Sequence, residues 1–263
     1  MTDEELLAGD PEAFAAFYRR HVAPLLGYFL RRTGNAELAA DLTAETFAAA
    51  LDGLQRGRVI AVDAAPSMVA QARELLPAGI DVRRADLLEL DLGEPVDAVF
   101  STATFHWIAD HDRLFARLHA ALAPGGRLVA QCGGHGNVDA VKRAGAAVAR
   151  DERFARHFEG WSQDWTFATP EDTERRLLGA GFADVWCWLS RVDVDPEDPA
   201  AYLGAICLGS HLARLPEELR EPFVAAALEL LPAPLRIEYV RLNILARKPH
   251  GRRGHPREPR PRS

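Results

Sequence analysis

The apolar positions of the first 54 residues recur at helical spacing. Phe14, Phe17, Tyr18, Val22, Leu25 and Phe29 lie three or four residues apart, which puts them on one helix face. Asp10-Pro11-Glu12 reads as a start signal, a capping acid followed by proline at the first helical position. Pro24 sits inside this pattern and predicts a kink or a division, because proline lacks the amide donor and crowds the preceding turn. Thr33-Gly34-Asn35 breaks the helix. A second one is predicted from about Ala36 to Leu54, with Leu38, Leu42, Phe47 and Leu51 along one face.

The period changes after Gly57. Val59-Ile60-Ala61-Val62 is a short β-branched run of the kind found in buried parallel strands. A helix is predicted from Ser67 to Leu76 with Ser67 as its N-cap, then a strand at Ile80-Asp81-Val82 and another over Asp97–Ser101. Arg113 to Leu122 is helical, Pro124-Gly125-Gly126 stops it, and Arg127–Gln131 is a fourth strand. This alternation predicts a parallel sheet with right-handed crossovers. Further on, the pattern is helical over Val138–Phe158 and over Pro170–Ala180, the latter capped by Thr169 and ended by Gly181. Ala183–Val194 reads as a strand, and Ala200–Leu215 and Glu217–Leu231 read as helices divided by Pro216. Ile237–Ala246 alternates as a last strand, and no internal repeat is present.

Composition narrows the class without naming a function. The 263 residues suffice for one large α/β domain or two small ones, and 48% apolar with 26% charged residues is ordinary for a globular protein. Cys132, Cys187 and Cys207 are scattered, so the spacing suggests neither a disulfide framework nor a zinc site; no metal is expected, and the cysteines read as small buried apolar residues. A net charge of −7 gives no general attraction to nucleic acid, so direct DNA binding is not expected. Residues 249–263 form a basic, proline-rich tail without large apolar side chains, which is expected to be disordered. No apolar run approaches the ~20 residues that span a bilayer, and the acidic start lacks a signal-peptide pattern. A cytoplasmic protein with no membrane partner is the expectation.

Candidate chemistry begins at Arg58-Val59-Ile60-Ala61-Val62-Asp63-Ala64-Ala65-Pro66-Ser67-Met68. This stretch resembles the second strand and following turn of class I S-adenosylmethionine-dependent methyltransferases. The resemblance implies that Asp63, with Ala64 beside it, receives both ribose hydroxyls of the cofactor, as acids at this strand end do in dinucleotide folds. It also implies that Met68 packs on the adenine. Read alone, Asp63 would serve equally as a strand-end or helix-capping acid.

Arg84-Ala85-Asp86-Leu87 resembles the third-strand turn of the same family, where the acid accepts a hydrogen bond from the adenine amine. Ala98-Val99-Phe100-Ser101-Thr102-Ala103-Thr104-Phe105-His106-Trp107 resembles its fourth strand and exit loop, and is similar in detail to the trans-aconitate methyltransferase group. The resemblance places Ser101 and Thr102 beside the methionine part of the cofactor and His106 and Trp107 at the substrate. Leu122-Ala123-Pro124-Gly125-Gly126-Arg127 is similar to the family's turn into its fifth strand, where the glycines serve the turn.

No catalytic residue is assigned. A carboxylate acceptor is ionised near neutral pH and needs no general base, so catalysis would be mainly positional. Trp161–Trp165 and the helices from Ala200 to Leu231 are expected to form a lid over the substrate, although packing alone would account for their pattern.

The fold class implied is α/β, a Rossmann-like methyltransferase sheet that lacks its usual first strand and glycine loop and carries an N-terminal helical segment. The nearby glycines upstream of Asp63 are Gly27, Gly34, Gly53 and Gly57, none of them paired. Such a loop lets the backbone approach the cofactor, so its loss implies weakened cofactor binding.

Residues 1–54 resemble region 2 of an extracytoplasmic-function sigma factor. Thr2–His21 looks like its opening, and Asp41, Glu45 and Phe47 match the segment that docks on RNA polymerase. The helix that reads the promoter is absent. Leu42-Thr43-Ala44-Glu45 equally suits the first helix of a methyltransferase. The expected organisation is therefore a sigma region 2-like segment (1–54), a methyltransferase-like domain (55–248) and a basic tail (249–263). The leading functional expectation is methyl transfer from S-adenosylmethionine to a small carboxylic acid. A polymerase-binding adaptor and an inactive fusion are the alternatives.

Overall fold

The computed structural model describes residues 58–76, 80–163 and 165–250. The helices expected over residues 1–54, the residues upstream of Asp63 where a glycine loop would belong, and the tail past residue 250 lie outside them. The chain forms two compact units, residues 1–87 and 88–263. This division falls inside the stretch that the sequence pattern reads as one domain.

The described part of the first unit is a β-α-β element. Strands β1 (Ile60–Asp63) and β2 (Asp81–Arg84) pair in parallel, with Ile60 opposite Asp81 and Asp63 opposite Arg84. Helix α1 (Pro66–Leu75) connects them and buries Val69. Its start corrects one expectation: Ser67 is not the cap. Pro66 occupies the first turn, where its missing amide costs nothing, and Ala65 holds the cap position. Arg58 and Arg83 both bind the Asp81 carboxylate at 2.7 Å, and these hydrogen bonds, Arg83 first, pull its pKa down to about 2.

The second unit is built on a four-stranded sheet of β3 (Val96–Thr102), β4 (Leu122–Gly133), β6 (Ile237–Arg247) and β5 (Ala183–Val194), in that order. β3 and β4 are parallel, whereas β6 runs antiparallel to both neighbours. The sheet is thus mixed rather than parallel throughout. The connection from β5 to β6 returns the chain from the same end of the sheet, which an antiparallel pair permits. Among the described residues, β1 pairs only with β2, and β3 only with β4.

Helices α2 (His111–Ala121) and α4 (Pro170–Gly179) pack on each other and on β4 and β5 respectively, and they bury Leu114, Phe115, Leu118 and Leu177. Thr169 caps α4 as its position predicts, its hydroxyl accepting the Asp172 amide at 3.2 Å. The Lys248 ammonium binds the carbonyls of His119 and Leu122, satisfying acceptors that the end of α2 leaves open. Gly125 takes φ +85°, and a Cβ on Gly126 would lie 2.8 Å from the Ala123 carbonyl, so the bend near the start of β4 needs both glycines.

A second core gathers helices α3 (Asp139–Val148) and α7 (Glu217–Glu229) with the segment between β5 and α7. The expected helix over 138–158 ends at Val148. Asp151 takes over there, its carbonyl accepting the Phe154 amide and its side chain the Arg153 amide, which closes a turn instead of another helical one. The expected helix over 200–215 is divided into α5 (Pro199–Tyr202), a π-turn (Leu203–Cys207) and α6 (Gly209–Leu212). The wider turn, closed by Leu208 N–H to the Leu203 carbonyl at 2.8 Å, lets both leucines bury fully.

Candidate functional site

The first unit places Asp63 at the carboxyl end of β1, exposed, as its sequence position predicts. One carboxylate oxygen, Oδ1, accepts the Ala65 amide at 2.7 Å. The structural role open to an acid here is therefore filled by one oxygen, and Oδ2 has no partner among the described residues. The Ala85 amide binds the Asp63 carbonyl at 3.1 Å, and the Arg84 guanidinium binds the Ala64 carbonyl at 3.3 Å, tying the two strand ends together. Met68 is half-exposed on α1, and Asp86 is exposed just past β2, with Leu87 half-buried beside it.

The second unit brings together His106 and Trp107 with residues that the sequence pattern did not single out. β3 ends at Ser101 and Thr102, half-buried and exposed respectively. Ala103 turns the chain through φ +56°, its amide held by the Gln131 carbonyl at 2.8 Å. A single 3₁₀ turn, Phe105–Trp107, follows. Phe105 anchors it in the core against Phe115, and the His111 ring donates to its carbonyl at 3.0 Å. The next ring, His106, meets the end of β4.

The His106 ring is almost fully buried, and its Nδ1 accepts the Gly133 amide at 3.2 Å. An acceptor Nδ1 carries no proton, so the neutral ring has its proton on Nε2 and presents a donor there. Burial first, then the charge of Arg241, pushes the His106 pKa down to about 4. The imidazole is neutral at pH 7. It is no general acid of useful strength, but a fixed hydrogen-bond donor.

Aromatic rings enclose this donor. Trp107 lies 5.2 Å and Phe167 5.8 Å from His106, and Trp165 lies 5.7 Å from Trp107 and 5.4 Å from Phe167. The Thr166 amide binds the His106 carbonyl at 2.8 Å, which joins the two aromatic segments through their backbones. Gly133 has to be glycine, since a Cβ there would lie 2.5 Å from the Phe167 ring. Among the described residues the buried Trp165 indole N–H has no hydrogen-bond partner, an unusual state for a buried donor. Alongside, Gln131 donates to Asn243 at 2.7 Å and Asn243 donates to Ser190 at 3.0 Å, a polar line across the sheet face.

Of the expected lid, Trp165 joins this site. Trp161 instead packs against Phe158 and His211, and the helices after residue 199 build the second core. Phe167, Gly133 and Arg241 were missed by sequence reasoning. A usable signal existed for one of them: Arg241, like Asn243, is a polar interruption in the apolar last strand. The three cysteines are buried and free, and burial raises the Cys132 and Cys187 thiols to about 12, so neither is a nucleophile at neutral pH. Among the described residues no His, Cys, Asp and Glu cluster is arranged for a metal, and no helix is long and apolar enough to cross a membrane.

Residues 41–130 match the family described as Methyltransferase domain. The match begins ahead of the boundary read at residue 55 and takes in Asp41, Glu45 and Phe47. Trans-aconitate 2-methyltransferase of Methylobacterium nodulans is 38% identical over 73 residues, covering 28% of this chain and 28% of that protein. The enzyme of the same name from Variovorax paradoxus is 29% identical over 175 residues, covering 64% of this chain and 66% of its own length. The chain therefore spans less than two thirds of either relative. Among solved structures, a Bacillus halodurans protein titled as a methyltransferase superposes with a TM-score of 0.50 at 13% identity, covering 78% of this chain and 88% of that one. The chain has an α/β, Rossmann-like methyltransferase fold.

Proposed function

We propose that the chain is an S-adenosylmethionine-dependent methyltransferase that forms the methyl ester of a small carboxylic acid. The observation that carries this reading is the His106 site. A neutral imidazole offers a fixed Nε2–H donor inside an aromatic enclosure, at the strand ends where ligands of α/β sheets bind. The methyltransferase domain match and the trans-aconitate methyltransferase relatives support the same class.

The residues assigned to the cofactor suit it in their chemistry, each taken by itself. Asp63 keeps one acceptor oxygen unused for ribose hydroxyls, with Ala64 beside it, and Met68 offers an exposed polarizable side chain for the adenine. Asp86 and Leu87 are the residues we assign to the adenine edge, and Ser101 and Thr102 those for the methionine part. Bound, the cofactor supplies a sulfonium methyl group, which a carboxylate oxygen takes as the carbon–sulfur bond breaks, with no proton moved. The protein's part is then positional. Trp107 presents a face that favours positive charge, and His106 orients the acceptor through its N–H. No general base is required, because the acceptor is already ionised.

We also propose that cofactor binding is weakened, since no paired-glycine loop precedes Asp63 in the sequence. Calorimetric titration with S-adenosylmethionine tests this directly. Measurable binding that Asp63→Ala abolishes is the expected result. Binding that survives the substitution unchanged removes the ribose assignment, and no binding at all removes the enzyme reading. The acceptor class is tested by transfer of labelled methyl from the cofactor to a panel of small carboxylic acids, with a base-labile product expected.

The polymerase-binding reading of Asp41, Glu45 and Phe47 rests on sequence resemblance alone. A pull-down with core RNA polymerase, repeated with Glu45 and Phe47 replaced, tests it. Capture lost on replacement supports an adaptor, and no capture disposes of it.

A further inference from the structure

Arg241 sits in the middle of β6, half-buried, with Gly133 opposite it on one neighbouring strand and Ser190 on the other. Gly133 is the residue whose amide holds His106, so Arg241 stands one strand away from the anchor of the proposed site. Its guanidinium lies over the Tyr239 ring, 4.5 Å from the centroid. That platform is itself fixed, since the Tyr239 hydroxyl meets the Tyr202 hydroxyl at 3.1 Å and the Cys207 sulfur at 3.6 Å. A stacked guanidinium keeps its plane and its fork of donors in one orientation.

Among the described residues no carboxylate answers this charge. Among the described residues the Arg241 guanidinium makes neither an ion pair nor a hydrogen bond. The acids on neighbouring strand positions are committed elsewhere: Glu238 binds Arg191, and Asp193 and Asp195 face Arg236. The nearby cation Lys142, over the Phe167 ring, faces Asp139 at 3.9 Å. Arg241 is the cation beside His106 that lacks a counter-charge. Its field reaches the site, because it lowers the pKa of both His106 and Cys132. A half-buried, stacked guanidinium leaves its fork of donors open, and a planar fork matches a carboxylate in two parallel hydrogen bonds.

We propose that Arg241 is the specificity residue of the site and clamps a carboxylate of the acceptor other than the one that is methylated. A bidentate clamp withdraws electron density from the oxygens that it holds, so the reacting carboxylate has to be a different one. The acceptor is then a di- or polycarboxylate. This rests on the functional reading above, and the test separates the two.

The experiment measures binding and transfer with trans-aconitate, a polycarboxylate, and crotonate, a monocarboxylate, on the full chain and its Arg241→Gln and Arg241→Lys variants. Losing a charge-assisted bidentate contact weakens binding by about 10- to 100-fold. Arg241→Gln is expected to lose trans-aconitate by that factor in calorimetry, with crotonate within about twofold and Tm unchanged. Arg241→Lys keeps the charge without the fork and is expected to recover part of the loss, and it serves as the folded comparison should Arg241→Gln unfold. In turnover, KM for trans-aconitate rises while kcat for crotonate stays. Binding of trans-aconitate that survives Arg241→Gln overturns the clamp, and so does a wild-type chain that binds no trans-aconitate. Binding that depends on Arg241 without any methyl transfer overturns the enzyme reading and leaves the clamp standing.

Discussion

His106 and His211 are both buried imidazoles held at a pKa of about 4, yet they mark different kinds of region. His211 is walled by Trp161 at 4.8 Å, Phe223 at 5.5 Å and Phe158 at 5.8 Å, and burial alone lowers its pKa. Its Nδ1 is buried with no partner among the described residues, and the ring acts as an apolar filler in the helical core. His106 is held by a hydrogen bond, stands beside an uncompensated arginine, and has half-exposed Trp107 next to it. A depressed histidine pKa therefore does not by itself mark a site, since burial alone suffices at His211. The fixed donor direction and the adjacent charge are what distinguish a site from packing.

The contrast between the two regions is tested hardest at Phe223. It is fully buried against Phe154, Phe158 and His211, so Phe223→Ala should cost about 3–5 kcal/mol in denaturant unfolding. Phe167→Ala, in the half-buried aromatic enclosure of His106, should cost about 1–2 kcal/mol. Equal losses would mean that the His106 region is ordinary core.

Substituting the histidines themselves comes next. Phenylalanine at 106 leaves the buried Gly133 amide unpaired, so His106→Phe should lose about 1–3 kcal/mol at pH 8. His211→Phe breaks no hydrogen bond and should be nearly neutral there. On acidification the two histidines act in the same direction. Both folded pKa values lie below the ordinary histidine value, so the unfolded chain takes up protons first, and stability falls as pH drops from about 6.5 towards 4. His211→Phe removes its share of that loss and should move the acid-unfolding midpoint to lower pH. A midpoint that stays in place would remove His211 from the acid response.

The smallest stability effect belongs to Trp107. It is 54% exposed, and Trp107→Ala should cost about 1 kcal/mol or less in thermal unfolding. Methyl transfer should nevertheless fall more than about tenfold, if the aromatic face aids the sulfonium charge. Unchanged turnover would confine Trp107 to packing.

Much of this could be read from periodicity. The strand at Ala183–Val194 and the helix at Pro170 follow from local pattern, cap and breaker, because their apolar faces meet a single partner layer. The fragments at Leu203–Cys207 and after Val148 could not be read so. There, burying Leu203 and Leu208 together, or closing the Asp151 turn, outweighs local helical preference by small margins. Asp63 in the first unit and His106 and Trp107 in the second stood out because each lies in a short continuous segment that resembles a known family. Gly133, Phe167 and Arg241 did not, because each acts through a neighbour far along the chain.

Local pattern thus placed most strands and several helices of the described residues, and the sequence marked the acid at the end of the first strand and the histidine–tryptophan pair after the third. Packing in three dimensions added that His106 is neutral with its proton on Nε2, and that a lone arginine lies one strand away. Protonation depends on burial and on the amide that Gly133 supplies, and a counter-charge is missing only once every nearby acid has found its partner. Both are properties of distances between residues remote in sequence, and no local pattern records them.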